Sequence, residues 1–330
     1  MIVVFSKPHY STINFIKELN FKSKMVMHII EAQQLSRGIL LKLFKRADQL
    51  RENPSNFLKG KILTSLFYEP STRTRLSFEA AMLKLGGSVM GTENAREFSS
   101  VSKGESLEDS IRVIAGYSDV IILRNSIEGS SKLAACISSV PVINAGEGSG
   151  QHPTQAILDS YTLYREFGSL ENLKIAAVGD LKYGRTIRSL CYLLGKFTGI
   201  ELIFVSPENL KMKDDIKEYL LKHNTKFIEV DNLEEVLPMV DVIYMTRIQK
   251  ERINKEEYEL AKGKFVLNES NLNLIKEGAI IMHPLPHVEE INLSIKTEQN
   301  DSRIAYFRQA ENGLYIRMAI LEEVMKEKEK

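Results

Sequence analysis

What most constrains this chain is an alternation. Apolar runs of strand length stand at 61–67 (KILTSLF), 119–123 (DVIIL), 140–143 (VPVI), 173–178 (LKIAAV), 201–205 (ELIFV), 241–245 (DVIYM) and 279–282 (AIIM). Stretches of helical period separate them, at 35–52, 74–85, 107–117, 154–167, 185–197 and 312–326. Strand-length apolar runs alternating with helices and joined by short polar loops are the pattern of parallel sheets covered by helices. The alternation restarts after Gly168-Ser169, and the two halves echo each other in SDVIILRN and VDVIYMTR. In each echo an apolar strand opens with Asp and finishes at an arginine, Arg124 or Arg247. The reading is an α/β chain of two similar doubly wound parallel-sheet domains, 25–155 and 156–310, behind an N-terminal extension, 1–24. In open parallel sheets ligands bind beyond the carboxyl ends of strands, so both arginines would face a ligand-bearing rim. Either one alone could equally be an ordinary loop arginine.

The 330 residues carry a net charge of +1, which argues against nucleic acid and membrane surfaces as partners and makes local arginine clusters more telling. No run approaches the length of a membrane span. The opening segment lacks the order of a secretory signal and is poor in Arg for a transit peptide. It reads as a surface extension, or as residues upstream of a start at Met25 or Met27, and the expected address is the cytosol. Cys136 and Cys191 lie far apart in apolar, helix-like surroundings and are read as buried free thiols rather than a disulfide or a metal site.

The most specific segment runs from Glu69 through Pro70, Ser71, Thr72, Arg73 and Thr74 to Arg75, between a strand and a helix. A helix start offers free N–H groups and the positive end of a dipole, both suited to an anion. The hydroxyls and the Arg73 fork add donors. A plain N-cap is the alternative, but basic residues in a first turn oppose the dipole, so an anion is expected to offset them. At 179–186, GDLKYGRT has the spacing of a Walker A loop, GxxxxGK(S/T), with Arg185 in the lysine position. A P-loop ATPase is therefore a rival. Against it, guanidinium is a poor substitute for the compact ammonium, and the strands expected to carry a magnesium-binding Asp end in arginine. His152 stands in GQHPTQ, with Pro153 in the first helical turn and Gln155 close to it. From composition alone Lys103, in the polar loop SSVSKGE, is a solvated lysine. HPLP at 283–286 fixes an irregular turn at a strand end.

Together these segments strongly resemble the aspartate/ornithine carbamoyltransferase family, and its aspartate branch in particular. STRTR at 71–75, SKGE at 102–105, LRN at 123–125, GSGQHPTQ at 148–155, GDLKYGRT at 179–186, MTRIQKER at 245–252 and HPLP at 283–286 match its patterns in order, over roughly 30–326. The resemblance implies that Ser71, Thr72, Arg73, Thr74 and Arg124 hold the phosphate of carbamoyl phosphate. Thr74, Arg124 and His152 would surround its carbonyl oxygen. Gln155 and the backbone carbonyls of Leu285 and Pro286 would take its NH2. Arg185 and Arg247, helped by Gln249, would grip the two carboxylates of L-aspartate. It implies a homotrimer in which Ser99 and Lys103 reach the neighbouring subunit's site, no cofactor and no metal, and a last helix, 311–330, that returns to the first domain. A regulatory chain or a dihydroorotase as a further partner is left open. Arg185 and Arg247 suit a dicarboxylate, which weighs against an ornithine-like acceptor. Three departures stand out: His287 follows HPLP where the family usually has Arg, Pro70 precedes Ser71, and the extension has no clear counterpart.

Overall fold

Two aspartates make the same contact in the two halves of the chain. Asp119 accepts from the Ile62 N–H at 2.8 Å, and Asp241 from the Lys174 N–H at 2.7 Å. Each carboxylate thereby ties the start of its own strand to the start of a neighbouring central one. In this computed structural model, which describes residues 26–93, 95 and 104–326, both units are wholly parallel.

Among the described residues the first sheet contains Ile62–Phe67 (β1), Ser88–Glu93 (β2), Val120–Asn125 (β3) and Val142–Glu147 (β4), in the order β2-β1-β3-β4. Its helices are Arg37–Glu52 (α1), Thr72–Lys84 (α2), Leu107–Ala115 (α3), Ser130–Ile137 (α4) and Pro153–Phe167 (α5). The second contains Lys174–Gly179 (β5), Glu201–Val205 (β6), Lys226–Val230 (β7), Val242–Thr246 (β8) and, after the short strand Leu267–Asn268 (β9), Ile280–Met282 (β10). Their order is β10-β8-β5-β6-β7, and β9 pairs separately with Ile291–Asn292 (β11). The remaining helices are Arg185–Leu194 (α6), Asp214–Lys222 (α7), Leu233–Val236 (α8), Lys255–Ala261 (α9), Ile295–Asn300 (α10) and Tyr306–Met325 (α11).

One apolar core runs from Leu63, Ile122 and Ile143 of the first sheet, through Ile157 and Tyr161 of α5 and Ile187 and Leu190 of α6, to Ile175, Ala177 and Tyr244 of the second. The last helix, α11, packs on α1, α2 and α5, so the chain ends against the unit in which it began. Glu322 fixes it there. Its buried carboxylate takes Arg46 Nε at 2.6 Å, Arg46 Nη2 at 3.0 Å and the Ser55 hydroxyl at 2.7 Å.

The anticipated strands and helices form, with shifted ends. The run at 140–143 becomes β4 at 142–147, and the last helix begins at Tyr306 rather than 312. β2, which holds a glycine, and β7, a half-exposed edge strand, lacked a clear apolar run. Cys191 is buried, but the expectation for Cys136 is corrected: it lies on the exposed face of α4. Residues 1–24, Ser99 and Lys103 lie outside the described residues.

Candidate active site

Each sheet reverses its winding beside its first strand, between β1 and β3 in one and between β5 and β8 in the other. Such switch points open a crevice at the strands' carboxyl ends. Phe67 pairs with Arg124 at the first, and Gly179 with Thr246 at the second, one residue before Arg247. The two crevices face a common cleft of about 740 Å³. Ser71, Thr72, Arg73, Thr74, Arg124, His152, Gln155, Arg185, Arg247, Gln249, Leu285 and Pro286 all line it. A further hollow of about 680 Å³ continues past Arg124, Arg185 and Arg247 toward Glu251 and Arg252.

The cleft floor is the start of α2. Ser71 occupies the N-cap position, yet its side chain makes no cap hydrogen bond, and no acidic residue stands in the first turn. The free N–H groups and the dipole are thus left uncompensated beside Arg73. Opposite, Arg124 donates from Nη1 to the Ala145 carbonyl at 3.0 Å, and its Nη2 lies 3.6 Å from Glu69. Gly146 makes room for it. With φ at +107°, a Cβ there would stand 2.7 Å from Arg124 Nη1 and 3.1 Å from the His152 ring.

His152 stands at the N-cap of α5, where Pro153 fits the first helical position. Its ring is buried, with Nδ1 3.4 Å from the Thr154 hydroxyl. Burial first, then the positive charges of Arg185, Arg124 and Arg317, hold its pKa well below the ordinary histidine value, so the imidazole is neutral. Arg185 opens α6 and donates from Nη1 to the Gly148 carbonyl at 2.7 Å. Burial, reinforced by repulsion from Arg124 and Arg252, lowers its guanidinium to about 9. Arg247 is held differently: Glu251 binds both its terminal nitrogens and raises its pKa. Gln249 donates to the Tyr183 carbonyl at 2.8 Å. Cations packed this closely weaken one another's charged forms, and an anion among them relieves that repulsion.

The loop resembling a Walker A motif is not shaped as one. Asp180 fills its turn, accepting from the Tyr183 N–H at 2.9 Å and the Gln249 N–H at 3.3 Å, so a carboxylate sits where a P-loop would present N–H groups to phosphate. Leu285, at φ +55°, precedes a cis bond to Pro286. His287, in place of the family's usual Arg, puts Nε2 3.2 Å from Glu298.

Sequence reading missed Arg317. It is buried on α11, lines the cleft, and lies with its guanidinium 5.1 Å from the Phe78 ring centroid. A lone charge inside YIRMAIL, an otherwise apolar helical run, was the available signal. Glu69 and Arg252 also border the site; both stood inside quoted motifs without a role.

Paired parallel sheets that turn their switch points toward one gap, with guanidinium groups contributed by both, make this a two-domain α/β enzyme whose site suits anions. Residues 27–165 match the carbamoyl-phosphate-binding domain of aspartate/ornithine carbamoyltransferases, and 171–324 match the aspartate/ornithine-binding domain. The chain belongs to the aspartate/ornithine carbamoyltransferase family and is a carbamoyl-group transferase. It is 53% identical over 300 residues to aspartate carbamoyltransferase 3, chloroplastic, of Pisum sativum, covering 89% of this chain and 76% of that one. The catalytic subunit of M. jannaschii aspartate transcarbamoylase superposes with a TM-score of 0.83 at 46% identity, covering 90% of this chain and 97% of that one. Trypanosoma cruzi aspartate transcarbamoylase, solved with carbamoyl aspartate and phosphate, gives 0.83 at 40% identity, with coverages of 89% and 94%. Among the described residues no helix is long and apolar enough to cross a membrane.

Proposed function

We propose that this chain transfers the carbamoyl group of carbamoyl phosphate to the α-amine of L-aspartate, giving N-carbamoyl-L-aspartate and phosphate, the committed step of de novo pyrimidine synthesis. The observation that carries this reading is the convergence of guanidinium groups from both sheets on one cleft that also holds a buried, neutral histidine. Two polyanionic substrates would repel each other in water; Arg73, Arg124, Arg185 and Arg247 lower that cost and set the geometry of attack.

In this reading 25–155, with α11 packed on it, binds carbamoyl phosphate, and 156–310 binds aspartate. Ser71, Thr72, Arg73 and Thr74 take the phosphate at the start of α2, with Arg124 reaching it too. Arg185 and Arg247, with Gln249, hold the acceptor's carboxylates. The neutral amine attacks the carbamoyl carbon, and charge develops on its oxygen. Thr74, Arg124 and His152 donate to that oxygen. In this reading the neutral imidazole donates from Nε2 while its Nδ1 accepts from the Thr154 hydroxyl 3.4 Å away. Donors aimed at developing charge supply the largest catalytic contribution at such sites. The C–O bond to phosphate then breaks, and the leaving phosphate takes the amine proton, so no protein base is required.

The trimer, with Ser99 and Lys103 entering the neighbour's site, belongs to this proposal, as does the cytosolic address, beside relatives named chloroplastic. The test is formation of carbamoyl aspartate by the purified chain, with its mass measured in solution. Carbamoylation of ornithine in preference to aspartate, or ATP turnover with magnesium and no carbamoyl transfer, would overturn it.

A further inference from the structure

A carbamoyl group differs from an acetyl group of the same shape in carrying two N–H donors. A site that selects it must therefore hold acceptors in fixed places. Behind the cleft wall a buried chain of side chains does this. Asp159 of α5 accepts from Gln155 Nε2 at 2.8 Å and Gln309 Nε2 at 2.7 Å on one oxygen, and from the Tyr244 hydroxyl at 2.6 Å on the other.

The orientation of Gln309 is fixed from its far side. Its Oε1 accepts the His283 backbone N–H at 2.9 Å, so its nitrogen must face Asp159. Burial lifts the Asp159 carboxyl to about 6, which leaves it ionised at neutral pH and able only to accept. Gln155 must then also turn its nitrogen inward, which leaves its Oε1 for the cleft. His283 carries the chain onward. Its Nδ1 accepts from the Leu285 N–H at 2.7 Å, while its Nε2–H donates to Glu290 at 2.8 Å. One carboxylate is thereby tied both to Gln155 and, through Gln309 and His283, to the turn that presents the Leu285 and Pro286 carbonyls.

We propose that Asp159 is the positioning residue for carbamoyl recognition, orienting Gln155 Oε1 and anchoring the Leu285–Pro286 turn so that the site selects carbamoyl phosphate over other acyl phosphates. This rests on the carbamoyl phosphate reading above. The experiment is calorimetric titration of the full chain and its Asp159→Leu variant with carbamoyl phosphate and, separately, acetyl phosphate. The wild type binds carbamoyl phosphate more tightly. In the variant both acceptor oxygens are gone, Gln155 loses the partner that holds its nitrogen inward, and carbamoyl phosphate weakens about tenfold while acetyl phosphate stays within about twofold. Equal weakening of both ligands, or an unchanged preference, overturns the proposal. Should that variant not fold, Gln309→Met keeps the Asp159–Gln155 bond but releases the turn. A partial loss of preference supports the proposal, and full retention overturns it. Failure of the wild type to bind carbamoyl phosphate would overturn the functional reading and this proposal with it.

Discussion

His152 should stay uncharged at a pH where an ordinary histidine is fully protonated. Burial is the main cause, and Arg185, Arg124 and Arg317 add repulsion against a second proton. An unfolded chain has no such environment, so there His152 titrates near 6.5. Below that pH the unfolded state binds a proton that the folded state refuses, so stability falls as pH falls through 6.5. Between pH 8 and 5.5 this one residue can remove at most about 1.4 kcal/mol, the free energy of protonating an ordinary imidazole whose pKa lies one unit above the final pH. Burial also lowers His28 and His283, so the wild type alone overstates the effect. The comparison is with His152→Gln, which should lose less over the same range in denaturant unfolding, by up to about 1.4 kcal/mol. NMR of labelled histidines gives a direct reading: the His152 ring should show no titration between pH 8 and 5.5. A His152 midpoint near 6.5, or equal acid losses in the two chains, would refute the neutral donor.

Arg247→Ala should weaken aspartate use by roughly 1.5–3 kcal/mol while leaving carbamoyl phosphate affinity, measured by calorimetry without aspartate, nearly intact. Arg46→Met leaves the buried Glu322 carboxylate with Ser55 as its remaining partner and should cost about 2–4 kcal/mol by denaturant midpoint, below the usual upper range for a broken buried pair because Arg46 is a third exposed. Adding Glu322→Leu should recover most of that loss; a double variant as unstable as the single one would show that helix α11 is not anchored there. Mixing His152→Ala and Lys103→Ala chains after dissociation should restore about a quarter of the sites if Lys103 serves the neighbour in a closed ring. Mixed trimers that stay inactive would place Lys103 outside that role.

The sequence by itself determined the elements and most of the chemistry. Continuous apolar runs such as ILTSLF and KIAAV, with helical periods between them, dictate strands buried on both faces, because only there is a side chain of either parity covered. Local motifs also marked Ser71–Thr74, Arg124, His152, Gln155, Arg185 and Arg247, because a helix start or a strand end fixes where such residues sit; Gln249, Leu285 and Pro286 entered through the family resemblance. Short-range pattern could not decide which strand lies beside which. The β1/β3 and β5/β8 neighbours, and hence the meeting of Arg124 with Arg185, come from crossovers that bury one continuous core. Nor could it show that Arg317, far along the chain, returns on α11 to repel a proton from His152. Asp159 and Gln309, separated by 150 positions, read as ordinary helix polar residues until packing removes water and joins them in one hydrogen-bonded chain. Burial decides the charge of His152 and the orientation of Gln155, and burial belongs to the tertiary structure alone.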